Sequence, residues 1–266
     1  MTQMPQQPGD EKKSQVQEYY SRTAEGYVAS ASHRTGSDLQ RLIELGEWQP
    51  DLYALDVATG GGHTALTIAP YVGQVMVTDL TPQMLEKARE FILAQGVTNA
   101  QFQVADAEQL PFADATFDRV TCRIAPHHFP NMARAVQEIA RVLKPGGLFL
   151  LIDCMAPSDS EFDAFDNTVE KWRDPSHGRS CNAEEWETFF TQAGLRIEQR
   201  EFFRRKHEYD DWTTRSKMPV NEKAKLARFI VESDDRIRQY FEVIQRDDGS
   251  LESFTNDYIL LKGRKS

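Results

Sequence analysis

Between residues 52 and 153 the chain alternates short apolar runs with longer amphipathic segments, and this alternation predicts strands and helices in turn. The predicted strands span residues 52–57, 74–79, 100–104, 117–123 and 148–153. Three helices are predicted among these strands: one begins at residue 64, and the other two span residues 82–95 and 131–143. Pro82 in a first turn and Gly96 after a last turn are typical helix boundaries. Strands and helices that alternate in this way form a parallel sheet with helices on both faces.

The two ends of the chain depart from this alternation. Two helices are predicted before it, over 14–30 and 37–45, with Ser37 as the N-cap of the second. The later segments are predicted as helices over 158–173 and 183–193, strands over 195–207 and 253–262, and helical pieces within 210–240. The two late strands are expected to extend the sheet as an antiparallel edge pair. The predicted fold is a Rossmann-like three-layer α/β/α sandwich, with a mostly parallel seven-stranded sheet, an antiparallel edge strand and a helical cap.

Charge and composition exclude several classes of function. The net charge is −10, whereas nucleic-acid binding relies on a broad basic surface, so no nucleic-acid partner is expected. No apolar stretch approaches the roughly 20 residues that a membrane span needs, so no membrane span is expected. The three cysteines, Cys122, Cys154 and Cys181, cannot all pair, which favours reduced thiols in a cytoplasmic protein. Homodimerisation is left open.

A glycine-rich turn with the sequence Ala-Thr-Gly-Gly-Gly occupies residues 58–62, between a predicted strand and a predicted helix. In an open α/β sheet this geometry places a ligand over the carboxyl end of the strand, and glycine lets the backbone approach that ligand closely. The turn lacks the pattern of a P-loop, and it departs from Gly-x-Gly-x-x-Gly at Ala58 and His63. A nucleoside with an amino-acid tail is therefore favoured over a dinucleotide.

Acidic residues stand at the ends of three successive strands. Asp56 lies at the end of the first, Asp79 at the end of the second, and Asp106 just after the third. Asp79 is placed to accept hydrogen bonds from both hydroxyls of a ribose. Asp106 is placed to accept one from the amine of adenine, while the backbone N–H of Ala107 meets a ring nitrogen. A lone acid of this kind is more often a turn or cap residue, but three beside one glycine turn favour a nucleoside site.

With these residues the chain resembles the class I S-adenosylmethionine-dependent methyltransferases, and within them the type 11 branch that includes the ubiquinone and menaquinone methyltransferases. The matching stretches are residues 55–62, 77–85, 105–112, 117–118 and 141–147. They cover residues 50–155 in the right order, and the part that follows matches only in outline. Substrate choice is expected to reside in that later part.

The resemblance implies S-adenosylmethionine as cofactor and S-adenosylhomocysteine as its product. Gly60 is then expected to approach the methionine tail, Leu80 to pack on the adenine, and Asp56 to support the turn and the amino group of the cofactor. Ala58 stands where the family usually has glycine, and alanine tolerates turn conformations with negative φ, so binding is expected to survive. We divide the chain into a disordered leader (1–13), a lid of helices over the cofactor (14–50), a cofactor-binding core (51–155), and the rest of the sheet with a helical substrate cap (156–266).

The loop after the predicted strand 117–123 carries candidates for catalysis. His127 and His128 lie where this loop faces the transferred group, and a histidine titrates near neutral pH, as a general base should. The alternative is that they hold the loop by hydrogen bonds. Arg123 either contacts the cofactor tail, pairs with Asp56 or another carboxylate, or lies on the surface. No metal ligand is predicted.

Aromatic residues admit two interpretations as well. Tyr20 and Tyr27 share one face of the first predicted helix, a segment that in similar enzymes folds over the cofactor. Aromatic faces attract a sulfonium, but ordinary packing explains this face equally well. The tryptophans and phenylalanines after residue 156 either line an acceptor pocket or fill the cap. The basic run over 204–206 is expected to be a solvated face.

The leading hypothesis is an S-adenosylmethionine-dependent methyltransferase that transfers a methyl group to a small organic acceptor by in-line displacement. Whether carbon, oxygen or nitrogen accepts the methyl group is left open. The alternative is a non-catalytic module that binds S-adenosylmethionine or S-adenosylhomocysteine. A third hypothesis, thiol-dependent methylation of a metalloid, requires Cys122, Cys154 and Cys181 to converge on the methyl group.

Overall fold

The computed structural model of the protein describes residues 9–28 and 36–266, with the backbone alone for 23–28. The helices are α1 (Asp10–Val28), α2 (Ser37–Leu45), α3 (His63–Ile68), α4 (Pro82–Ala94), α5 (Met132–Val142), α6 (Ser160–Arg173), α7 (Ala183–Gln192), α8 (Tyr209–Arg215), α9 (Val220–Val231) and α10 (Asp235–Tyr240). The strands are β1 (Tyr53–Val57), β2 (Gln74–Asp79), β3 (Ala100–Val104), β4 (Phe117–Arg123), β5 (Leu143–Met155), β6 (Leu195–Glu208), β7 (Ile244–Gln245) and β8 (Leu251–Lys265). Short 3₁₀ turns lie at Ala69–Tyr71 and Pro126–His128.

The strands form one sheet in the order β3-β2-β1-β4-β5-β8-β6, with β7 added on β8. Strands β1 to β5 pair in parallel, and β8 runs antiparallel to both β5 and β6. The mostly parallel sheet with late antiparallel strands is therefore confirmed, and the two-residue β7 is the one strand that the sequence pattern did not predict. The strand order reverses between β1 and β4, so a crevice opens at their carboxyl ends, which is where ligands bind in such folds.

The two faces of the sheet pack against different helices. Leu55 and Phe149 belong to an apolar cluster with α5 and α7, whereas their chain neighbours Ala54 and Leu150 belong to a second cluster with α2, α3 and α4. This alternation arises because successive side chains of a strand point to opposite faces. Both faces are covered, as the three-layer prediction requires.

A third cluster forms the helical cap. It joins α6, α8, α9 and α10 to the beginning of β8, and its largest members include Trp212, Phe241 and Phe254. The charged segment 210–240 is divided into separate helices, and Pro219 stands at the N-cap of α9. Most aromatic residues of this part therefore pack within the cap. Among the described residues, no helix combines the length and apolar character needed to cross a bilayer.

Two predicted boundaries differ from the structure. Helix α1 begins at Asp10, inside the segment expected to be a disordered leader, of which residues 1–8 lie outside the described residues. Ser37 was predicted as an N-cap, and that is wrong, because Gly36 holds the N-cap position without a side-chain hydrogen bond and Ser37 is the first helical residue.

A buried ion pair fixes α2 against the sheet. The Arg123 side chain at the end of β4 donates from Nε to Asp38 Oδ2 over 2.6 Å, and both side chains are almost completely buried. Arg205 on β6 lies 3.2 Å from the same carboxylate oxygen. Burial alone would raise the pKa of Asp38, but attraction to Arg123, their hydrogen bond and Arg205 outweigh it and lower that pKa. One carboxylate thus connects α2 with two strands of the sheet.

We expect Asp38→Asn to lower the free energy of unfolding by about 3 kcal/mol, because removing one partner leaves buried guanidinium charge uncompensated. Urea denaturation at neutral pH measures this loss. The contribution of Asp38 is present above its unfolded pKa and is lost as pH falls through the lowered folded value. The control is Glu44→Gln, which removes an exposed pair with Arg41 on the same helix and should leave stability unchanged. Equal stability of the two variants would contradict the assignment.

Candidate active site

A large cavity opens at the carboxyl ends of the parallel strands, beneath α1 and the cap. It encloses about 1440 Å³ of space, a figure that includes its open mouth. The predicted site residues on its wall are Tyr20, Ala58, Gly60, Asp79, Leu80, Asp106, Ala107, Arg123, His127 and His128. Asp56 lies under the wall. The side chain of Tyr27 is outside the described residues.

The glycine turn and Asp79 form one hydrogen-bonded unit. The backbone N–H of Gly60 donates to Asp79 Oδ2 over 3.0 Å, and the N–H of Thr81 donates to Oδ1 over 2.9 Å. Burial raises the pKa of Asp79 to about 6 despite these bonds. A Cβ added at Gly60 would meet no described atom within 4 Å, so a side chain there would enter the cavity.

Asp56 holds the same turn from below. Its Oδ2 accepts a 2.6 Å hydrogen bond from the Thr59 hydroxyl, and its Oδ1 accepts another of 2.6 Å from the Thr121 hydroxyl on β4. Burial raises the pKa of Asp56 to about 6. The expected support of the turn is therefore present in the hydrogen bonds, and it ties the turn to the neighbouring strand.

Two residues beside the cavity adopt left-handed backbone conformations. Ala58 has φ +53° and Ile124 has φ +52°. Alanine was expected to be tolerated at position 58 in a turn conformation with negative φ, and the structure shows a positive φ there instead. A left-handed conformation places Cβ close to the following carbonyl and costs roughly 1–2 kcal/mol for a residue other than glycine. The strain is therefore stored in the turn itself.

Helix α1 crosses the cavity and is tied to its rim. Lys13 Nζ lies 2.7 Å from Asp106 Oδ2 and 2.8 Å from Glu108 Oε2. Gln17 Nε2 donates to the backbone carbonyl of Leu80 over 2.9 Å. The Tyr20 hydroxyl contacts His128 Nε2 at 2.6 Å. These contacts lie along one face of the helix, so α1 covers the wall that carries Asp106 and Leu80.

His127 and Asp153 form a buried dyad. The backbone N–H of His127 donates to Asp153 Oδ2 over 3.0 Å, and the ring Nδ1 lies 2.6 Å from Asp153 Oδ1. A carboxylate partner keeps the proton on Nδ1, which leaves the lone pair on Nε2. Burial would lower the pKa of His127, but attraction to Asp153 and their hydrogen bond outweigh it and raise the pKa above the ordinary 6.5. The dyad is thus arranged to accept a proton at Nε2.

His128 is held differently from its neighbour. Its Nε2 contacts Tyr20, and its Nδ1 lies 3.2 Å from the Ser176 hydroxyl, which donates in turn to Asp174. Burial and the adjacent His127 lower the pKa of His128 to about 3. It therefore stays neutral at physiological pH with both ring nitrogens engaged. This geometry favours the structural alternative for His128.

The structure decides between the alternatives for Arg123. This residue is buried and pairs with Asp38, not with Asp56, so the surface alternative is wrong.

The positions of the cysteines bear on the hypothesis of metalloid methylation. All three cysteines are buried and free of disulfides. Cys154 lines the cavity, whereas Cys122 and Cys181 do not, and the convergence that metalloid methylation requires is not found in the described part of the chain.

A group of potential metal ligands coincides with the dyad. Side-chain atoms of His127, Asp153 and Cys154 lie within 4.8 Å of one another. Two of these atoms already share the 2.6 Å hydrogen bond of the dyad. Burial and the charge of Asp153 raise the pKa of Cys154 well above its ordinary value, so the thiol keeps its proton. We therefore interpret His127 and Asp153 as a hydrogen-bonded dyad, with Cys154 as a protonated neighbour.

Several polar residues of the site escaped the sequence analysis. They are Asp153, which orients His127, and four residues that line the cavity from the cap side, Arg173, Arg205, His207 and Arg215. Asp153 ends the predicted strand 148–153 and lies near the carboxyl end of β5, so the rule that carboxyl ends of parallel strands meet at one edge could have found it. Arg173 and Arg215 carried no such signal, because they lie on cap helices whose packing the sequence did not define.

The sequence around the basic run 204–206 contains a pattern that could have predicted the partial burial of Arg205. Arg204 and Lys206 are exposed, whereas Arg205 is half-buried and His207 is buried. This is the two-residue period of a strand with one buried face. The prediction of a solvated face therefore holds for Arg204 and Lys206 and is wrong for Arg205.

Comparisons with known proteins show the family to which the chain belongs. A family profile described as a methyltransferase domain matches residues 55–151. The uncharacterized methyltransferase YcgJ of Bacillus subtilis is 37% identical over 246 residues, an alignment that covers 92% of this chain and 97% of YcgJ. The chain therefore belongs to the class I S-adenosylmethionine-dependent methyltransferases.

Further relatives define the extent of the similarity. The crystal structure of YcgJ matches with a TM-score of 0.84 over 87% of this chain and 99% of that one. A candidate methyltransferase from Bacillus halodurans C-125 is 42% identical and matches with a TM-score of 0.84 over 86% of this chain and 99% of its own. The ubiquinone/menaquinone biosynthesis C-methyltransferase UbiE of Brucella anthropi is 32% identical over 172 residues, which cover 61% of this chain and 64% of UbiE. The type 11 resemblance is confirmed.

The strain at Ala58 predicts that Ala58→Gly stabilises the protein. Relief of the left-handed strain exceeds the entropy that glycine loses on folding, for a net gain of about 0.5–1 kcal/mol. Thermal and urea unfolding measure the gain. The control is Ala113→Gly, an exposed loop position without a positive φ, which should lose stability. A loss of stability in both variants would show that the turn is not strained.

Proposed function

We propose that this protein transfers a methyl group from S-adenosylmethionine to a small organic acceptor. The observation that carries the proposal is the shared cavity, which has the glycine turn, Asp79 and Asp106 on one wall and the His127–Asp153 dyad beside it. A non-catalytic binding module needs only the wall that carries the glycine turn, Asp79 and Asp106. The dyad adds a proton acceptor in the same cavity, which such a module does not need. The dyad therefore favours an enzyme.

The residues of the first wall fit the proposed cofactor. Asp79 presents a buried carboxylate for the two ribose hydroxyls, and Asp106 with the N–H of Ala107 can address the adenine edge. The open space at Gly60 admits the methionine tail, with Ala58 beside it. We further assign Leu80 to the adenine face, Asp56 to support of the turn, and Arg123 and Tyr20 to the rim near the tail.

The proposed chemistry divides between cofactor and protein. When bound, S-adenosylmethionine supplies an electrophilic methyl group on a sulfonium. The protein holds the acceptor in line with that group and excludes water, an alignment that supplies about 7–11 kcal/mol of barrier lowering in favourable cases. Where the accepting atom carries a proton, His127 Nε2 takes it, and Asp153 stabilises the imidazolium that forms.

The same proposal assigns functions to the other parts of the chain. Helix α1 and the segment up to residue 50 act as a lid, residues 51–155 as the cofactor-binding core, and residues 156–266 as the remaining sheet with the substrate cap. The lid contacts from Lys13 and Gln17 reach the wall assigned to adenine, which supports its role. We propose that the acceptor is a small molecule and that the protein acts in the cytoplasm. Homodimerisation is left open.

Calorimetry with S-adenosylhomocysteine and incubation with methyl-labelled S-adenosylmethionine test this function together. We expect binding, and label transfer to a member of a panel of small alcohols, phenols, amines and acids. Binding without transfer to any member would favour the non-catalytic module, and absence of binding would refute the proposal.

Replacing a proposed cofactor-binding acid should weaken that binding. We expect Asp79→Asn to raise the dissociation constant of S-adenosylhomocysteine about ten- to a hundredfold, because a hydrogen bond to a charged group contributes about 1.5–3 kcal/mol. Asp106→Asn should act in the same direction. Asp114→Asn is the control, since this side chain is 78% exposed and does not line the cavity. Wild-type affinity in a folded Asp79→Asn variant would contradict the assignment.

The dyad predicts the titration of one histidine. We expect the pKa of His127 to lie above 6.5 and to fall in Asp153→Asn, because the variant loses the carboxylate that favours the imidazolium. NMR of the imidazole nitrogens measures both values. Where an acceptor is found, the acid limb of the rate profile should move to lower pH in the variant, since His127 must be deprotonated to act as a base. An unchanged His127 pKa in Asp153→Asn would exclude the dyad.

A further inference from the structure

The part of the cavity under the cap is rich in arginine. We call this part the arginine chamber, and the residues that define it are Arg123, Arg173, Arg205, Arg215, Glu170 and His207. Four guanidinium groups thus line it with one carboxylate among the described residues. This composition runs against that of the whole chain, whose net charge is −10. A local excess of arginine in an acidic protein requires a physical reason.

These residues come from four elements, of which β4 contributes Arg123 at its last position. Strand β5 stops pairing with β8 at Met155, whereas β6 and β8 stay paired for four further rows, up to Glu208 and Ser253. This two-stranded extension rises above the sheet edge and carries Arg205 and His207, two residues apart and therefore on one face. Helices α6 and α8 close the chamber with Arg173 and Arg215.

Two of the guanidinium groups are held in position by aromatic rings. Arg173 lies over the Trp212 ring at 4.8 Å, and Arg205 lies over the Tyr258 ring at 4.6 Å. Stacking uses the flat face of a guanidinium and turns its N–H edge toward polar partners, which for Arg173 include Glu170. Such preorganised forks match the oxygens of a carboxylate or a phosphate.

His207 adds an independent observation. The side chain is 6% exposed, and its Nε2 is buried without a hydrogen-bond partner among the described residues. Burial, and then the charges of Arg215, Arg205 and Arg173, hold the pKa of His207 well below its ordinary value, so the ring is neutral. A buried polar atom without a partner is costly, and ligands are a common means of satisfying it.

The two carboxylates nearest the arginines have structural roles of their own. Asp38 sits behind Arg123 and Arg205 and ties α2 to the sheet. Glu170 accepts from Arg173 and from the Asn256 amide, which anchors α6 to β8. These contacts leave His207 Nε2 without a partner among the described residues, and the four guanidinium groups outnumber the two carboxylates. This composition suits an anionic ligand.

We propose that the methyl acceptor carries an anionic oxoacid group, a carboxylate or a phosphate, and that this group binds in the arginine chamber. The inference rests on the proposed function, because it takes the cavity to hold donor and acceptor together. The anionic end lies among the arginines under the cap, and the accepting atom lies toward His127 and the glycine turn. The acceptor class is therefore a small organic acid or phosphate ester.

Calorimetry with matched aromatic probes tests the proposal, in the presence and absence of saturating S-adenosylhomocysteine. Benzoate and phenyl phosphate represent the two anions, and benzamide is the neutral control. We expect at least one anion to bind about tenfold or more tightly than benzamide, with an affinity that falls as NaCl is raised. The tighter of the two anions identifies the oxoacid. Equal binding of all three probes, or none, would overturn the proposal.

Variants separate the chamber from the rest of the site. Arg205→Gln and Arg215→Gln should each weaken binding of the preferred anion about tenfold while leaving S-adenosylhomocysteine affinity unchanged. His207→Phe should weaken it as well, because it removes the buried nitrogen. The matched control is Arg200→Gln on the same strand, whose exposed side chain pairs with Glu187 away from the chamber.

The outcomes distinguish this proposal from the proposed function. If S-adenosylhomocysteine fails to bind, the methyltransferase function fails, while anion binding to the protein alone still decides whether the chamber is an anion site. If S-adenosylhomocysteine binds and anion affinity is the same in the wild type and in both arginine variants, the chamber proposal fails alone. Unchanged S-adenosylhomocysteine affinity also shows that a variant is folded.

Discussion

Buried carboxylates at the carboxyl edge of the sheet impose the main physical constraint on this protein. Each must find a partner inside the fold, because an unpaired charge away from water costs several kcal/mol. Asp56 uses two threonine hydroxyls, Asp79 two backbone N–H groups, Asp153 a histidine, and Asp38 two guanidinium groups. The glycine turn, the dyad and the position of α2 are all consequences of these pairings.

The kind of partner determines what each acid can do. Asp38 has cationic partners, and its pKa is lowered, so its charge is already compensated. Asp56 and Asp79 have neutral partners, and burial raises their pKa values to about 6. A cation placed beside them would stabilise their ionised forms. The proposed donor carries such a charge on its amino group, which the resemblance places near Asp56, whereas Asp79 is assigned to the ribose.

The sequence predicted the cofactor wall better than the acceptor wall. The positions of Asp79 and Asp106 could be predicted because the local hydrophobic pattern shows where each parallel strand ends. His127 was found for the same reason, and its partner Asp153 could have been, since it ends the next predicted parallel strand. Arg205 required knowledge of which face of β6 is buried, and Arg215 required the packing of the cap. Long-range packing of this kind leaves little periodic trace in a single sequence.

The cavity is lined by acids near the glycine turn, with Lys13 beside Asp106, and by arginines and Glu170 under the cap. Asp79 and Asp106 lie on the wall of the turn, while Arg173, Arg205 and Arg215 lie under the cap. In a space with low dielectric constant, such a division acts strongly on charged ligands. A cationic donor is attracted to the acids and repelled by the arginines, and an anionic acceptor experiences the reverse. This division of charge adds to the direct contacts that orient both proposed substrates. After transfer the donor no longer carries its sulfonium charge, so the attraction that positioned it weakens at the point where the product must leave.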